Sequence, residues 1–175
     1  LPHLLVPEKA AKPVRKWAYA FLIGGCSESL PDYKGFLYNV IVAAQRLKEF
    51  GSRADVVVMI QMSTHSNETS LPSNEREFLD AMGVHVHYIP KMAGKVHEVF
   101  YSLVKEKFRI LDLTEYSRVL FMDSDVMPFC NLDYLFDLSE PEIGEPMLKE
   151  NVVLAWHKEA ANAGFFMLRP DNEDY

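Results

Sequence analysis

Two aspartates, Asp123 and Asp125, are the residues whose types and spacing most suggest chemistry in this chain. They follow the apolar run 119–122, which has the length and composition of a buried strand. Because side chains alternate between the two faces of an extended chain, residues two apart point the same way, about 7 Å apart. Paired carboxylates suit Mg²⁺ or Mn²⁺, which prefer oxygen ligands and share them with substrate phosphates. The alternative is a strand that simply ends in an acidic turn, since Asp and Ser are common turn residues.

Strands and helices alternate along the chain and must position this acidic pair. The spacing of apolar residues predicts strands at 17–23, 54–60 and 84–89, one that ends at Asp123, and two more at 152–155 and 164–168. Such an alternation predicts an α/β domain whose central sheet is mainly parallel and is flanked by helices. Ligands of such sheets bind at the C-terminal ends of the strands, which is where the acidic pair lies.

The predicted helices have less regular patterns than the strands. Helical spacing places Phe36 in the buried stripe of a helix that reaches Leu47, and Gly51 is a plausible end for it. Asn74 and Glu77 form a capping-box pattern that predicts a second helix, ended near residue 83. A third helix is predicted over 96–113 and a helical turn over 131–138, with a loop over 139–150 between that turn and the last two strands.

Composition sets the class of protein and excludes several partners. The chain has 175 residues, of which 49% are hydrophobic and 25% charged, as in one soluble globular domain. Residues 1–16 contain three prolines and no periodicity, which predicts an arm or linker before a domain over 17–175. The net charge of −7 argues against nucleic acid as the main partner. No apolar run approaches the roughly 18 residues that span a bilayer.

The two cysteines bear on compartment and on chemistry. Cys26 and Cys130 lie far apart and form no CxxC, which argues against a zinc site and a disulfide framework. Free thiols favour a cytoplasmic location. Because the first residue is Leu rather than Met, a missing N-terminal anchor and a Golgi-lumen location stay open, as does a homo-oligomer. Cys26 has no identifiable partner, and no GxSxG, P-loop or HExxH motif is found, so no catalytic residue is assignable.

Two further features have a functional and a plain interpretation. Gly24 and Gly25 end the first strand, where they form either a close approach to a nucleotide or an ordinary turn. Lys107 precedes the acidic pair on the predicted helix, beside Lys105 and Arg109. A cation there can reach a diphosphate at the sheet edge, although its spacing alone is typical of a solvated helix face.

Three ordered segments resemble glycosyltransferase family 8, the family of glycogenin and galactinol synthase. The first, 107–125, joins Lys107 and a Tyr-Ser-Arg group to an apolar strand ending in D-S-D. The second, N-L-D-Y-L-F-D at 131–137, resembles the family's N-[IL]-D-x-L-F-D segment, and N-A-G-F-F at 162–166 resembles its N-[SA]-G-x-F strand. The resemblance implies a GT-A-type, Rossmann-like fold.

The resemblance also implies a set of site residues. Asp123 and Asp125 would bind Mn²⁺, or else Mg²⁺, and through it the diphosphate of a UDP-sugar. The implied donor contacts are Ser124 against the ribose, Lys107 at the sugar or its phosphates, Asn162 at the sugar, Tyr33 on uracil, and Gly24 and Gly25 along the nucleotide pocket.

The implied function is the transfer of a hexose from a UDP-sugar to a hydroxyl of a carbohydrate, polyol or protein acceptor, with retention of configuration. The family continues beyond this chain with a His-containing motif that supplies a further metal ligand. We therefore expect that the C-terminal part of the domain is missing and that Phe165 and Phe166 lie near an exposed boundary. A non-catalytic donor-binding domain stays open as an alternative. So does a haloacid-dehalogenase-type phosphohydrolase, although that class carries its motif near the N-terminus.

Overall fold

Six strands form one sheet in the order β3-β2-β1-β4-β6-β5 in the computed structural model, which describes residues 16–91, 103–139, 152–153 and 163–171. The first four strands are parallel where they pair, and β6 runs antiparallel to β4 and to β5. The strands are β1 (Trp17–Cys26), β2 (Asp55–Met62), β3 (Val84–Ile89), β4 (Arg118–Met122), β5 (Val152–Val153) and β6 (Phe165–Leu168). The predicted mainly parallel α/β sheet is therefore confirmed.

Helices cover both faces of this sheet. They are α1 (Tyr33–Glu49), α2 (Ser73–Ala81), α3 (Asp133–Ser139) and a 3-10 helix (Lys107–Asp112) that continues from helical residues 103–106. Alternate residues of β1 supply the two halves of the core: Tyr19 and Phe21 pack with residues of the three α-helices, whereas Ala18 and Ala20 pack with residues of the 3-10 helix. The buried, nearly continuous apolar strands are those expected of a sheet covered on both faces.

The strand order creates one special position at the C-terminal edge of the sheet. From β1 the chain proceeds outward through β2 to β3 and then returns to the other side of β1 to form β4. The connection after β1 therefore leads toward β2 and β3 on one side of the sheet, and the connection after β4 leads toward β5 and β6 on the other side. Such a switch point opens a crevice beyond the carboxyl ends of the two strands, and open α/β sheets bind their ligands there.

Several details of the predicted helices differ from the structure. Phe36 is 47% exposed rather than part of the buried stripe of α1, although Gly51, with φ +72°, follows the end of that helix as predicted. The capping box is wrong, since α2 begins at Ser73 after Pro72 and no side chain caps it. Of the predicted helix over 96–113, residues 103–106 are helical and Lys107–Asp112 form a 3-10 helix, whereas 96–102 fall outside the described residues.

The expected exposure of the last strand is also wrong in part. Phe166 is only 2% exposed, because its ring lies 5.1 Å from that of Phe121 and 5.3 Å from that of Phe108. Phe165 is half-buried. The predicted arm, apart from Lys16, and the predicted loop over 139–150, apart from its first residue, fall outside the described residues.

Candidate functional site

A cavity of about 360 Å³ occupies the crevice between the ends of β1 and β4. Three parts of the chain line it together with one aromatic residue of α1. The lining residues are Leu22, Ile23 and Gly24 from β1, Asp123, Ser124 and Asp125 after β4, Leu103, Val104 and Lys107 from the helical segment, and Phe36. The lining is thus partly apolar and also includes two carboxylates and one ammonium group.

A turn, not strand alternation, brings Asp123 and Asp125 to this cavity. Strand β4 ends at Met122, and the N–H of Val126 donates to the carbonyl of Asp123 at 2.8 Å. The N–H of Asp123 donates to the carbonyl of Gly164 at 2.8 Å, which fixes the turn against the start of β6. The segment is therefore the acidic turn that the sequence left open as an alternative, and both aspartates line the cavity.

The side chains of the two aspartates are in different states. The carboxylate of Asp123 forms an ion pair with Lys107, with 2.6 Å between Oδ1 and Nζ. Asp125 is exposed, and its carboxylate has no hydrogen bond or ion pair to any of the described residues. The pair thus offers one carboxylate with an internal counter-ion and one without.

Lys107 is not the solvated residue that its spacing suggests. Its side chain is 15% exposed, and Nζ also donates to the carbonyl of Ala163 at 3.2 Å. The same nitrogen lies 5.6 Å from the centre of the Phe121 ring, a cation–π distance. The spacing of residues along the helix could not indicate that Lys107 lines the cavity. Its location there depends on the strand order, which places the helical segment beside the crevice.

Gly24 and Gly25 have different roles. A Cβ on Gly24 would lie 2.5 Å from Cδ1 of Leu103, so the glycine lets the helical segment approach the end of β1 closely. Gly25 has φ +72° and does not line the cavity. Its conformation favours glycine because L side chains rarely adopt it. The prediction that the two glycines end the first strand is wrong, because β1 continues to Cys26 with a shift of register between Ile23 and Cys26. Gly24 thus lines the cavity, and Gly25 lies in the irregular last part of β1.

Tyr33 lies outside this cavity. Its side chain is 4% exposed, and its hydroxyl donates to Oε2 of Glu75 at 2.8 Å. Burial and the carboxylate of Glu75 raise the pKa of Tyr33. Phe36, one turn further along α1, instead presents an exposed aromatic ring to the cavity. The helical spacing of apolar residues assigned Phe36 to the core, so it did not indicate that Phe36 lines a cavity. Asn162 lies outside the described residues.

The acidic pair fits a hard divalent cation that shares its ligands with a substrate. Within the residues described, no group of three or more His, Cys, Asp and Glu side chains is arranged to hold a metal. Mg²⁺ is often bound through one or two carboxylates, with substrate phosphates and water as the other ligands. Two carboxylates with free oxygen lone pairs at the rim of an open cavity meet that requirement.

The cysteines give no nucleophile for this site. Cys26 is buried, and burial together with Glu75 raises the pKa of its thiol to about 12. The reactive form of cysteine is the thiolate, so Cys26 is inert at neutral pH. Cys130 is exposed but does not line the cavity.

Comparisons of the sequence with known proteins identify its relatives. No family model matches the chain. It is 27% identical over 142 residues to galactinol synthase 4 of Arabidopsis thaliana, a match that covers 78% of this chain and 38% of that protein. It is 26% identical over 107 residues to UDP-glucuronate:xylan alpha-glucuronosyltransferase 1 of the same plant, covering 60% of this chain and 15% of that protein. This chain is therefore similar in sequence to galactinol synthases and to a xylan alpha-glucuronosyltransferase.

One further relative and one solved structure are also similar to this chain. Galactinol synthase 1 of Solanum lycopersicum is 29% identical over 129 residues, which are 60% of this chain and 40% of that protein. The chain therefore spans between 15% and 40% of the length of these relatives. The structure of galactosyltransferase LgtC with donor and acceptor sugar analogs superposes with a TM-score of 0.45 at 17% identity, covering 89% of this chain and 59% of that one.

Across the described residues, no helix has the length and hydropathy that crossing a bilayer requires.

Proposed function

We propose that this chain forms the donor-binding part of a metal-dependent glycosyltransferase that moves a hexose from a UDP-sugar to an acceptor hydroxyl, with retention. One observation carries the proposal. Asp123, Ser124, Asp125 and Lys107, predicted as metal and donor residues, all line the same cavity at the switch point of the sheet. The similarity to galactinol synthases and to a UDP-glucuronate:xylan alpha-glucuronosyltransferase supports the proposal.

The charges of the cavity favour a metal ion that bridges the protein and the donor. Two carboxylates repel a diphosphate, and the single ammonium group of Lys107 already has Asp123 as its partner. A divalent cation at Asp123 and Asp125 reverses this repulsion. When bound, Mn²⁺ or Mg²⁺ supplies Lewis-acid stabilisation of the charge that develops on the leaving diphosphate.

The apolar lining of the cavity suits a nucleoside. Phe36 offers an exposed ring on which a base can stack, and Leu103 and Val104 add further apolar lining. Ser124, between the two aspartates, supplies a hydroxyl for the ribose. The contacts of Tyr33 with uracil and of Asn162 with the donor sugar stay predictions from the resemblance.

Retention of configuration is what the family resemblance implies, and the residues of the cavity are compatible with it. In this proposal the carboxylates that line the cavity hold the cation, and no lining side chain is assigned as a nucleophile. An acceptor hydroxyl that attacks from the same face as the leaving group needs no enzymic nucleophile, because the departing phosphate can take its proton. Lys107 and the cation would both stabilise that departing phosphate.

A donor panel tests the proposal. We expect UDP, UDP-glucose, UDP-galactose and UDP-glucuronate to bind in calorimetry with Mn²⁺, and EDTA to lower each affinity at least tenfold. GDP-mannose is the control for the base. Binding that ignores the metal, or is equal for GDP-mannose, contradicts the proposal. Metal-dependent UDP-sugar binding without release of UDP, tested with carbohydrate and polyol acceptors, favours the non-catalytic alternative.

A further inference from the structure

The ammonium group of Lys107 has three neighbours within the protein. The carboxylate of Asp123 lies 2.6 Å away, the carbonyl of Ala163 lies 3.2 Å away, and the face of the Phe121 ring lies beneath it. An ammonium group has three donors and no acceptor. Lys107 is therefore held within the protein, and its ionic partner is one of the two carboxylates proposed to hold the cation.

The same carboxylate oxygen cannot serve Lys107 and a divalent cation equally well. An ammonium within 3 Å of Oδ1 stands where a cation would stand, and two positive groups at such separations repel strongly in a partly buried crevice. Asp125, which has no partner in the described part of the chain, has no such competitor. The competition therefore concerns Asp123 alone.

The side chain of Lys107 has the freedom to exchange Asp123 for another anion. Its charge sits on a flexible four-carbon stem with rotatable donors, unlike the rigid fork of an arginine. Its second contact is a neutral carbonyl, which holds the stem without neutralising the charge. A diphosphate entering the cavity offers Lys107 a new counter-ion and frees Asp123 for the cation that accompanies the donor.

We propose that Lys107 is a positioning residue that couples the cation to the nucleotide. In the ligand-free protein it is the counter-ion of Asp123 and suppresses the binding of free Mn²⁺ or Mg²⁺. With a nucleoside diphosphate present it moves to the phosphates, and the cation takes its place on Asp123. The site then binds the metal complex of a nucleotide in preference to either component alone. This inference rests on the proposed function.

Binding of Mn²⁺ without nucleotide tests the coupling, with free Mn²⁺ measured by its electron paramagnetic resonance signal. We expect Lys107→Met to bind Mn²⁺ alone at least tenfold more tightly than the wild type. We also expect UDP to raise Mn²⁺ affinity much less in this variant than in the wild type. Lys107→Arg, which keeps the charge, should suppress free Mn²⁺ as the wild type does. Lys105→Met, two residues earlier and exposed, is the matched control and should change neither quantity.

Other variants separate failure of this inference from failure of the proposed function. Lys107→Gln, which can still donate to the carbonyl of Ala163, should repeat the result of Lys107→Met if the latter fails to fold. Unchanged or weaker Mn²⁺ binding in these two neutral variants overturns the inference. If Asp125→Asn then abolishes metal-dependent UDP binding, the proposed function stands without it. If Asp123→Asn and Asp125→Asn leave Mn²⁺ and UDP binding unaltered, both fail.

Discussion

Asp133 and Asp123 lie at opposite ends of the sheet and differ in what their carboxylates contact. Asp133 begins α3 close to Ser52 and Arg53, which precede β2, so it lies at the N-terminal edge of the parallel strands. Its Oδ1 accepts from the hydroxyls of Tyr19 at 2.8 Å and Ser52 at 2.7 Å, and its Oδ2 accepts from the N–H of Arg53 at 2.7 Å. Asp133 is only 4% exposed, and both of its carboxylate oxygens accept hydrogen bonds from the protein.

Asp123, at the C-terminal edge, accepts one side-chain contact, that from Lys107, and its side chain is 33% exposed. Its neighbour Asp125 accepts none from the residues described. The difference teaches that the partners of a carboxylate, and not its type or charge, indicate whether it holds the fold or faces a ligand. A buried acid with protein donors on both oxygens stabilises; an acid with free lone pairs at a crevice is available to bind.

The same comparison separates the segments that resemble the glycosyltransferase family. In the segment 131–137, Oδ1 of Asn131 accepts from the N–H of Asp133, and Nδ2 donates to the carbonyl of Phe50. These contacts attach α3 to the end of α1 and bear no relation to the cavity. The segment 107–125 ends at the cavity instead. A resemblance thus combines residues that hold the fold with residues that line the site, and only the structure divides them.

The largest expected effect is on stability, from Asp133→Asn. The asparagine side chain lacks the negative charge that the three donors share. Its NH₂ group also faces at least one of these donors and cannot accept a hydrogen bond from it. We expect the free energy of unfolding to fall by about 3 kcal/mol, the upper end for hydrogen bonds to a buried charge. Asp123→Asn, which removes a partly exposed ion pair, should lower it by less than about 1 kcal/mol. Urea unfolding of both variants measures the difference, and equal losses would break the comparison.

Acid unfolding sharpens the same prediction. Burial alone would raise the pKa of Asp133, but the hydrogen bonds from Arg53, Ser52 and Tyr19 outweigh it and hold the pKa below its usual value. The stabilisation is therefore complete above the unfolded-state pKa of about 3.9 and is lost as the pH falls from there through the lower folded-state pKa. The wild type should lose stability more steeply than Asp133→Asn below about pH 4. Parallel curves would show that Asp133 contributes nothing to this dependence.

A smaller effect is expected from Phe36→Ala, on binding rather than on stability. Because the ring is half exposed and lines the cavity, its loss should lower UDP affinity about tenfold, or about 1.4 kcal/mol, through lost stacking on the base. Unfolding should change little. Tyr38→Ala is the matched control, since Tyr38 is exposed on the same helix but does not line this cavity. Similar UDP affinities in the two variants would remove Phe36 from the proposed site.

The strands could be predicted from the sequence because most of them are short apolar runs, and β3 alternates apolar and polar residues over 84–87. Val84–Ile89 has the predicted bounds, and β4 ends one residue before the predicted position. The order of the strands could not be predicted, since it depends on how α1, α2 and the 3-10 helix pack on the finished sheet. Phe36 and Lys107 were misplaced by local spacing for this reason: both face a crevice that exists only because β4 pairs with β1.

Metal-dependent UDP binding by Asp125→Asn is the most direct test of the central claim, that the aspartates after β4 bind a cation and its nucleotide. Calorimetry with UDP, with and without Mn²⁺, should show at least a tenfold loss of the metal-dependent affinity, about 1.4 kcal/mol or more. Stability should be unchanged. Asp80→Asn, an exposed aspartate near the end of α2, is the control and should bind as the wild type does. Equal, metal-independent UDP binding in wild type and both variants would contradict the claim.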